Sequence, residues 1–256
     1  MKDEKMLPPV CRCAELPLAG VTLRLGLRLE ETAKYLRPGG GRCLIRQLNE
    51  GEIPEVRVES RDLPRYPLLC ADGDLTAEAE SYMLISRCAL PLLRQGRALI
   101  HGAGFLWQGG AWLLAARSGI GKTTQLRHWQ RLGGDRVSVI NGDKCILRLD
   151  EKGSVWLHAS PWTGKEGDNS ELSAPLKGVI LLRQEKQNRI CRLPVSKAVL
   201  PIFDQLFLTA DTEEEVRLAA SLLDALLRNT PVYLLENLGD EASARLTMDT
   251  LQEALP

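Results

Sequence analysis

The chain reads as an α/β protein with a smaller β-rich module at its N-terminus, and three features of the sequence say so. Residues 21–29 alternate apolar and polar in the period-two pattern of a half-buried strand. At 111–132 an apolar run, a glycine-rich loop and a helical pattern follow one another, and from 137 onwards strand-like and helix-like segments take turns. The composition fits a folded protein: of 256 residues, 44% are AVILMFWYC and 26% are charged, which excludes disordered, collagen-like and low-complexity chains.

Lys plus Arg and Asp plus Glu number 33 each, so the formal net charge is zero. That balance argues against a nucleic-acid partner or an anionic membrane surface, and any basic site must be local. Seven scattered cysteines form no C-x-x-C pair and meet no His at zinc-ligand spacing, which suits a reducing cytoplasm. The start, MKDEKMLPPV, has acidic residues and prolines where an export signal needs an apolar core, so the expected location is cytoplasmic. The uncharged stretch 98–116 contains His101, Gln108 and four glycines, and reads as folded backbone with turns.

In chain order, the strand at 21–29 is followed by short strands at 43–48 and 56–58, separated by Pro38-Gly39-Gly40-Gly41 and by the turn 51–54. From Thr76 the period changes: Ala79, Tyr82, Met83, Ser86, Leu90 and Leu93 share one helix face, with Glu78 and Glu80 near its positive end. Gly96 closes that helix, and Pro91 calls for a kink or an earlier end. The module boundary falls at Asp74, giving residues 1–74 and a main domain at 75–256.

Strands follow at 98–101 and 104–107, then a tight turn at 108–110, a strand at 111–116, a loop at 117–123 and a helix at 123–132 ended by Gly133-Gly134. Further strands are expected at 137–140, 145–149, 155–158, 177–182, 190–193 and 232–235, with helices at 197–208, 213–228 and from Asp240. No internal repeat is present.

Ser118-Gly119-Ile120-Gly121-Lys122-Thr123-Thr124 lies between strand and helix, the setting of a phosphate-binding loop. Glycines let backbone N–H groups turn inward around phosphate, Lys122 reaches β- and γ-oxygens, and the Thr123 hydroxyl joins a Mg²⁺ shell. Ala116 stands where the first glycine of the full pattern belongs. The alternative is a glycine-rich turn before a helix.

Mg²⁺ calls for a carboxylate from a neighbouring strand, and Asp143, 21 residues after Lys122, is the candidate. Asn141-Gly142 is also a hairpin signal, in which case Asp143 merely flanks a turn. His101 closes a strand one hairpin upstream of the loop; a core histidine is the alternative. The segment Ser160–Gly167 holds Trp162 and Lys165, either a cover that brings Lys165 to a transferring phosphoryl group or a surface turn anchored by Trp162. His128 reads as a helix-surface residue and His158 as a strand residue without a role.

Together, R-x-L-I-H-G, A-R-S-G-I-G-K-T-T, V-I-N-G-D-K and S-P-W-T-G-K resemble the HPr kinase/phosphorylase-like kinases, particularly small bacterial members often labelled carboxykinase-like. The resemblance runs from about 78 to 193 and leaves the first 75 residues outside it. It implies a P-loop core shared with ATP-dependent phosphoenolpyruvate carboxykinases, a mixed sheet with flanking helices, and phosphorylation of an acceptor such as a serine hydroxyl. By that resemblance His101, Lys122, Thr123 and Asp143 take the places of the family's histidine, phosphate-binding lysine, metal-binding hydroxyl and second acid of an Asp-Asp pair. The first acid of the pair, the base toward the acceptor, is Gly142 here. Either Asp143 and His101 divide that work, or the chain is a poor kinase.

The function so implied is a Mg²⁺-ATP-dependent kinase acting on a hydroxyl of a peptide, protein or small molecule. The alternative is an ATP-binding regulatory or accessory protein with little transfer. A GTPase is disfavoured, because Asp150-x-x-Gly153 reads as a charged turn and no N-K-x-D guanine reader exists. The chain is also shorter than a carboxykinase, so decarboxylation is not expected. The sequence names neither the acceptor nor the oligomeric state, homo-oligomers included.

Overall fold

The structure, a computed structural model, describes residues 7–36, 43–70 and 74–254. The turn expected at Pro38–Gly41 lies outside the described residues.

The chain begins with a strand the sequence pattern did not single out, β1 (Arg12–Leu18), paired antiparallel with β2 (Val21–Leu27). Pro17 and the small Cys13 and Ala14 hide its alternation in the sequence, yet Cys13, Ala14, Leu16 and Leu18 are all buried. The two-residue turn Ala19-Gly20 takes positive φ at both positions (51° and 87°), the twist that suits a two-residue hairpin. With β3 (Leu44–Gln47) and β4 (Val56–Arg57) these strands form a four-stranded sheet in the order β3-β1-β2-β4.

One face of this sheet packs on α1 (Ala77–Arg87), capped by the Thr76 hydroxyl on the Ala79 N–H at 3.1 Å. Leu16, Leu23, Leu25 and Leu27 share a cluster with Ala79, Met83 and Ile85 of that helix, and also with Leu99, Ile146 and Trp162 further on. Residues on both sides of Asp74 therefore contribute to one apolar cluster. Glu80 on α1 is fully buried, and its carboxylate accepts hydrogen bonds from the N–H groups of Arg28 (2.6 Å) and Leu29 (3.0 Å) and from the Thr32 hydroxyl (2.6 Å). Burial pushes the Glu80 carboxyl up, against the pull of these donors.

Pro91 produces the break it called for. Helix α1 stops at Arg87, and α2 (Ala89–Leu93) starts anew with Pro91 in its first turn, where no intrahelical donor is required. Then come β5 (Arg97–His101), β6 (Ala103–Trp107) and β7 (Gly110–Ala115), with Gln108-Gly109 as the β6–β7 turn. After α3 (Lys122–Gly133) follow β8 (Ser138–Asn141), β9 (Lys144–Leu149), β10 (Val155–Ala159), β11 (Ser173–Gln184) and β12 (Arg189–Arg192). Helices α4 (Val195–Phe203) and α5 (Glu213–Asn229), strand β13 (Val232–Asn237) and helix α6 (Glu241–Ala254) complete the chain.

The second sheet runs β5-β9-β10-β11-β7-β6-β8, with β13 beside β11 and β12 beside β13. It is mixed: β11 is parallel to β7 and β13 but antiparallel to β10. Strand β7 is buried throughout, and its alternation divides two cores. Ala111, Leu113 and Ala115 face α4 and α5, whereas Trp112 and Leu114 face α3 and α6. Trp129 of α3 lies 4.7 Å from Phe105 and 5.2 Å from Trp107 between ring centres, which seats the helix on the sheet.

One expectation is corrected. The helix expected over 197–208 ends at Phe203, and the chain turns to run along β5: the His101 N–H donates to the Gln205 carbonyl at 2.8 Å and the Phe207 N–H to the Leu99 carbonyl at 3.0 Å. The edge of β5 offers unpaired backbone groups there, and satisfying them outweighs another helical turn. His128 also departs from expectation, being partly buried with Nε2 against the Gly239 carbonyl at 3.2 Å. All seven cysteines are unpaired, and no helix among the described residues is long and apolar enough to cross a membrane.

Truncation of Glu80 to Ala leaves the buried Thr32 hydroxyl and two partly buried backbone N–H groups without an acceptor. Urea unfolding of Glu80→Ala is expected to show a loss of about 3 kcal/mol or more, at about 1 kcal/mol or more per orphaned donor.

Candidate functional site

The carboxyl ends of β5 and β10 meet those of β7 and β8, which run the opposite way, where Gly102 links β5 to β6 and Gly142-Asp143 links β8 to β9. From β7 the chain passes through 116–121 into α3. Gly119 and Gly121 have φ of 83° and 105°, and a Cβ at either would meet nothing within 4 Å. Glycine is required there by backbone conformation, not by space. Ala116 is buried in the Trp129 cluster, and Ile120 packs against the same cluster, so the loop is pinned from below. Gly121 caps α3 without a side-chain hydrogen bond, and no acidic residue lies in the first turn, which leaves the helix's positive end unneutralised by its own side chains.

Lys122 is only 7% exposed. Its Nζ donates to the Ala116 carbonyl at 2.9 Å and approaches that of Arg117 at 3.5 Å. Burial lowers its pKa to about 8, although the charge of Asp143 pulls the other way.

Asp143 does not flank a hairpin. Strand β8 pairs with β6, and β9 pairs with β5 and β10, so Gly142-Asp143 is a crossing between two parts of the sheet. The Asn141 side chain builds that crossing. Its Oδ1 accepts from the N–H groups of Asp143 (2.9 Å) and Lys144 (2.8 Å), and its Nδ2 reaches the carbonyls of Ser160 (3.2 Å) and Trp162 (3.0 Å) and Oδ1 of Asn169 (3.2 Å).

His101 Nε2 lies 3.3 Å from Asp143 Oδ1, while the Lys144 ammonium contacts Asp143 Oδ2. His101 Nδ1 is 3.2 Å from Gln205 Oε1, so the segment that leaves α4 orients the ring. Burial alone would raise the Asp143 carboxyl; the hydrogen bond to His101 and the Lys144 ammonium outweigh it and hold the group well below the usual carboxylate range.

These groups face a cavity of about 980 Å³. Ser118 and Thr123 line one end, with His101, Asp143 and Lys144 beside them and the 162–168 loop across. Tyr35, Tyr66 and, on α1, Tyr82 also line it, three of the four tyrosines in the chain, with the Lys144 ammonium 5.3 Å from the centre of the Tyr82 ring. Trp162 is buried in the N-terminal cluster and anchors the loop, whereas Lys165 is exposed at its rim. The loop crosses closely over Asp143, since a Cβ on Gly164 would stand 3.1 Å from Asp143 Cβ. Among the described residues, no group of three or more His, Cys, Asp or Glu side chains is set to hold a metal ion.

Of the residues singled out in the sequence, His101, Ser118, Thr123, Asp143 and Lys165 meet at this cavity, with Lys122 buried behind the loop and Thr124 exposed on α3. The sequence reading missed Asn141, Lys144, Gln205 and Asp168. Asn-Gly read as a turn and concealed the Asn141 amide; Gln205 is 104 residues from His101 and gives no sequence signal.

No protein-family model matches the chain, and no curated protein does. Among solved structures, that of the HPr(Ser) kinase/phosphatase from Coxiella burnetii matches with 13% identity and a TM-score of 0.34, over 60% of this chain and 98% of that one. So distant a likeness assigns no activity to this chain.

Asn141→Ala removes one acceptor and one donor that together hold five groups. A destabilisation of about 3 kcal/mol is expected. Limited proteolysis should then cut within 160–169 faster than elsewhere; an unchanged cleavage pattern would show that the loop is held without Asn141.

Proposed function

We propose that the chain is a Mg²⁺-ATP-dependent kinase that transfers the γ-phosphoryl group to a hydroxyl acceptor. The observation that carries this reading is the buried Lys122 ammonium beneath a left-handed glycine loop, at an uncapped helix N-terminus that opens on the cavity holding Asp143 and His101. Buried ammonium groups are costly unless compensated, and the nearest compensation here is backbone carbonyl alone. A polyphosphate is the ligand class that suits one buried cation beneath a glycine loop at a helix N-terminus.

The donor set also fits Mg²⁺, which keeps most of its shell in water and phosphate oxygens and takes one or two protein ligands. Thr123 and Asp143 would hold it, and the ammonium on Asp143 Oδ2 already marks that oxygen as a cation position. When bound, the metal neutralises charge on the β- and γ-oxygens. Loop residues Ser118, Gly119, Ile120, Gly121 and Thr124 position the phosphates, and Lys122 supplies a point charge. His101 orients Asp143 through the 3.3 Å contact, and Lys165 closes the rim. In this reading residues 1–74 form a module whose tyrosines, with Tyr82, wall the acceptor end, and 75–256 form the kinase core.

One observation favours a second reading, a nucleotide-binding regulatory protein with little transfer: both oxygens of Asp143 are engaged, one by the His101 ring and one by the Lys144 ammonium, which weakens it as a base.

Two variants test the reading. At a ligand concentration a hundredfold above Kd, Mg²⁺-ATP should stabilise the parent by about 2.7 kcal/mol and Lys122→Ala by close to nothing. Asp143→Asn should keep the stabilisation by ATP alone but lose the increment from Mg²⁺. Retained stabilisation in Lys122→Ala would refute the loop assignment.

A further inference from the structure

Transfer to a hydroxyl needs a group to receive the hydroxyl proton, and a carboxylate serves when it is not already neutralised. Asp143 is poorly placed for this, with His101 on one oxygen and Lys144 on the other. The other acidic side chains of the cavity are Glu78, Glu166, Asp168 and Asp204. Glu166 and Asp204 are more than half exposed, and Glu78 on α1 is exposed as well. Asp168 is different.

Asp168 lies directly across Gly142. The Gly142 N–H donates to the Asp168 carbonyl at 3.0 Å, and a Cβ on residue 142 would stand 3.1 Å from Asp168 Cβ and 3.6 Å from its Oδ2. The lack of a side chain at 142 thus gives the space beside Asp143 to the Asp168 carboxylate. Arg127 Nη2 lies 3.4 Å from Asp168 Oδ2 and 3.3 Å from Glu166 Oε2. Arg127 is four residues after Thr123, on the same face of α3. The helix face that brings Thr123 to the cavity therefore also reaches Asp168, through the Arg127 side chain. Asp168 Oδ1 has no close cation among the described residues.

We propose that Asp168 receives the proton of the acceptor hydroxyl, an assignment that rests on the kinase reading. As the hydroxyl oxygen bonds to the γ-phosphorus, the bond from that phosphorus to the bridging oxygen of ADP breaks, and its electron pair leaves with ADP. The hydroxyl proton passes to Asp168 Oδ1 and then to solvent. Arg127 holds Oδ2 and fixes the orientation.

The test uses the full chain with Mg²⁺-ATP and water as the acceptor hydroxyl. Thermal stabilisation reports binding, and phosphate release reports transfer. Asp168→Asn should keep the stabilisation and KM within a few-fold while kcat falls about 10²-fold, the scale of a lost general base. A second variant returns the carboxylate from the other side: Gly142→Asp combined with Asp168→Gly. Residue 142 does not have a positive φ, so a side chain is tolerated once Asp168 is truncated. The pair should recover at least tenfold of the lost kcat.

Unchanged kcat in Asp168→Asn overturns the assignment alone. Loss of binding in step with kcat, or a folded double variant without recovery, assigns Asp168 a structural role and overturns it too. A parent that fails to bind Mg²⁺-ATP removes the kinase reading itself.

Discussion

The site depends on one buried amide. Asn141 closes the end of β8, accepts from the first two N–H groups of the crossing into β9, and holds three acceptors of the 160–169 loop. Its side chain ties the crossing into β9 to the 160–169 loop, beside the backbone bridge that pairs the end of β8 with residues 168–170. Asp143 takes its position from this arrangement, as does the loop that passes over it. A hydrogen-bonded amide can specify such a junction because leaving any of its partners unsatisfied in a buried setting is costly.

Around that junction a neutral chain concentrates charge. Lys122, Lys144 and His101 surround Asp143, and Arg127 reaches Asp168 from the helix. The composition gave no sign of this, since 33 basic and 33 acidic residues cancel over the whole molecule. The low dielectric of the cavity strengthens these interactions relative to water. The same burial makes the Lys122 ammonium easier to deprotonate than a free lysine, which couples anion binding to a proton.

Much of the fold was legible in the sequence because each signal was local. Alternation placed β2, Gln108-Gly109 placed the β6–β7 turn, and a glycine loop between an apolar strand and an amphipathic helix placed α3. What escaped was set by contacts distant in sequence. Strand β1 shows itself only through its pairing with β2 and β3. Gln205–Phe207 are apolar enough to continue a helix, and only the open edge of β5 explains why they leave it. At the site the same rule holds: the glycine loop was readable from local pattern and His101 was singled out by the family resemblance, whereas Gln205, Asp168 and the engagement of both Asp143 oxygens required the fold. Asn-Gly misled, because a hairpin and an interstrand crossing use the same dipeptide.

The central claim is that the Lys122 ammonium answers a polyphosphate. Calorimetric titration of Mg²⁺-ATP in buffers of different ionisation enthalpy measures the protons exchanged on binding. Free Lys122, with its pKa lowered to about 8, is mostly neutral at about pH 9, and a bound polyphosphate should return it toward 10.5. The bound state then holds more protons, so affinity falls as pH rises above about 8. Uptake approaching one proton per nucleotide at about pH 9, vanishing near pH 6, is the predicted result; binding with no proton uptake at any pH would contradict the account.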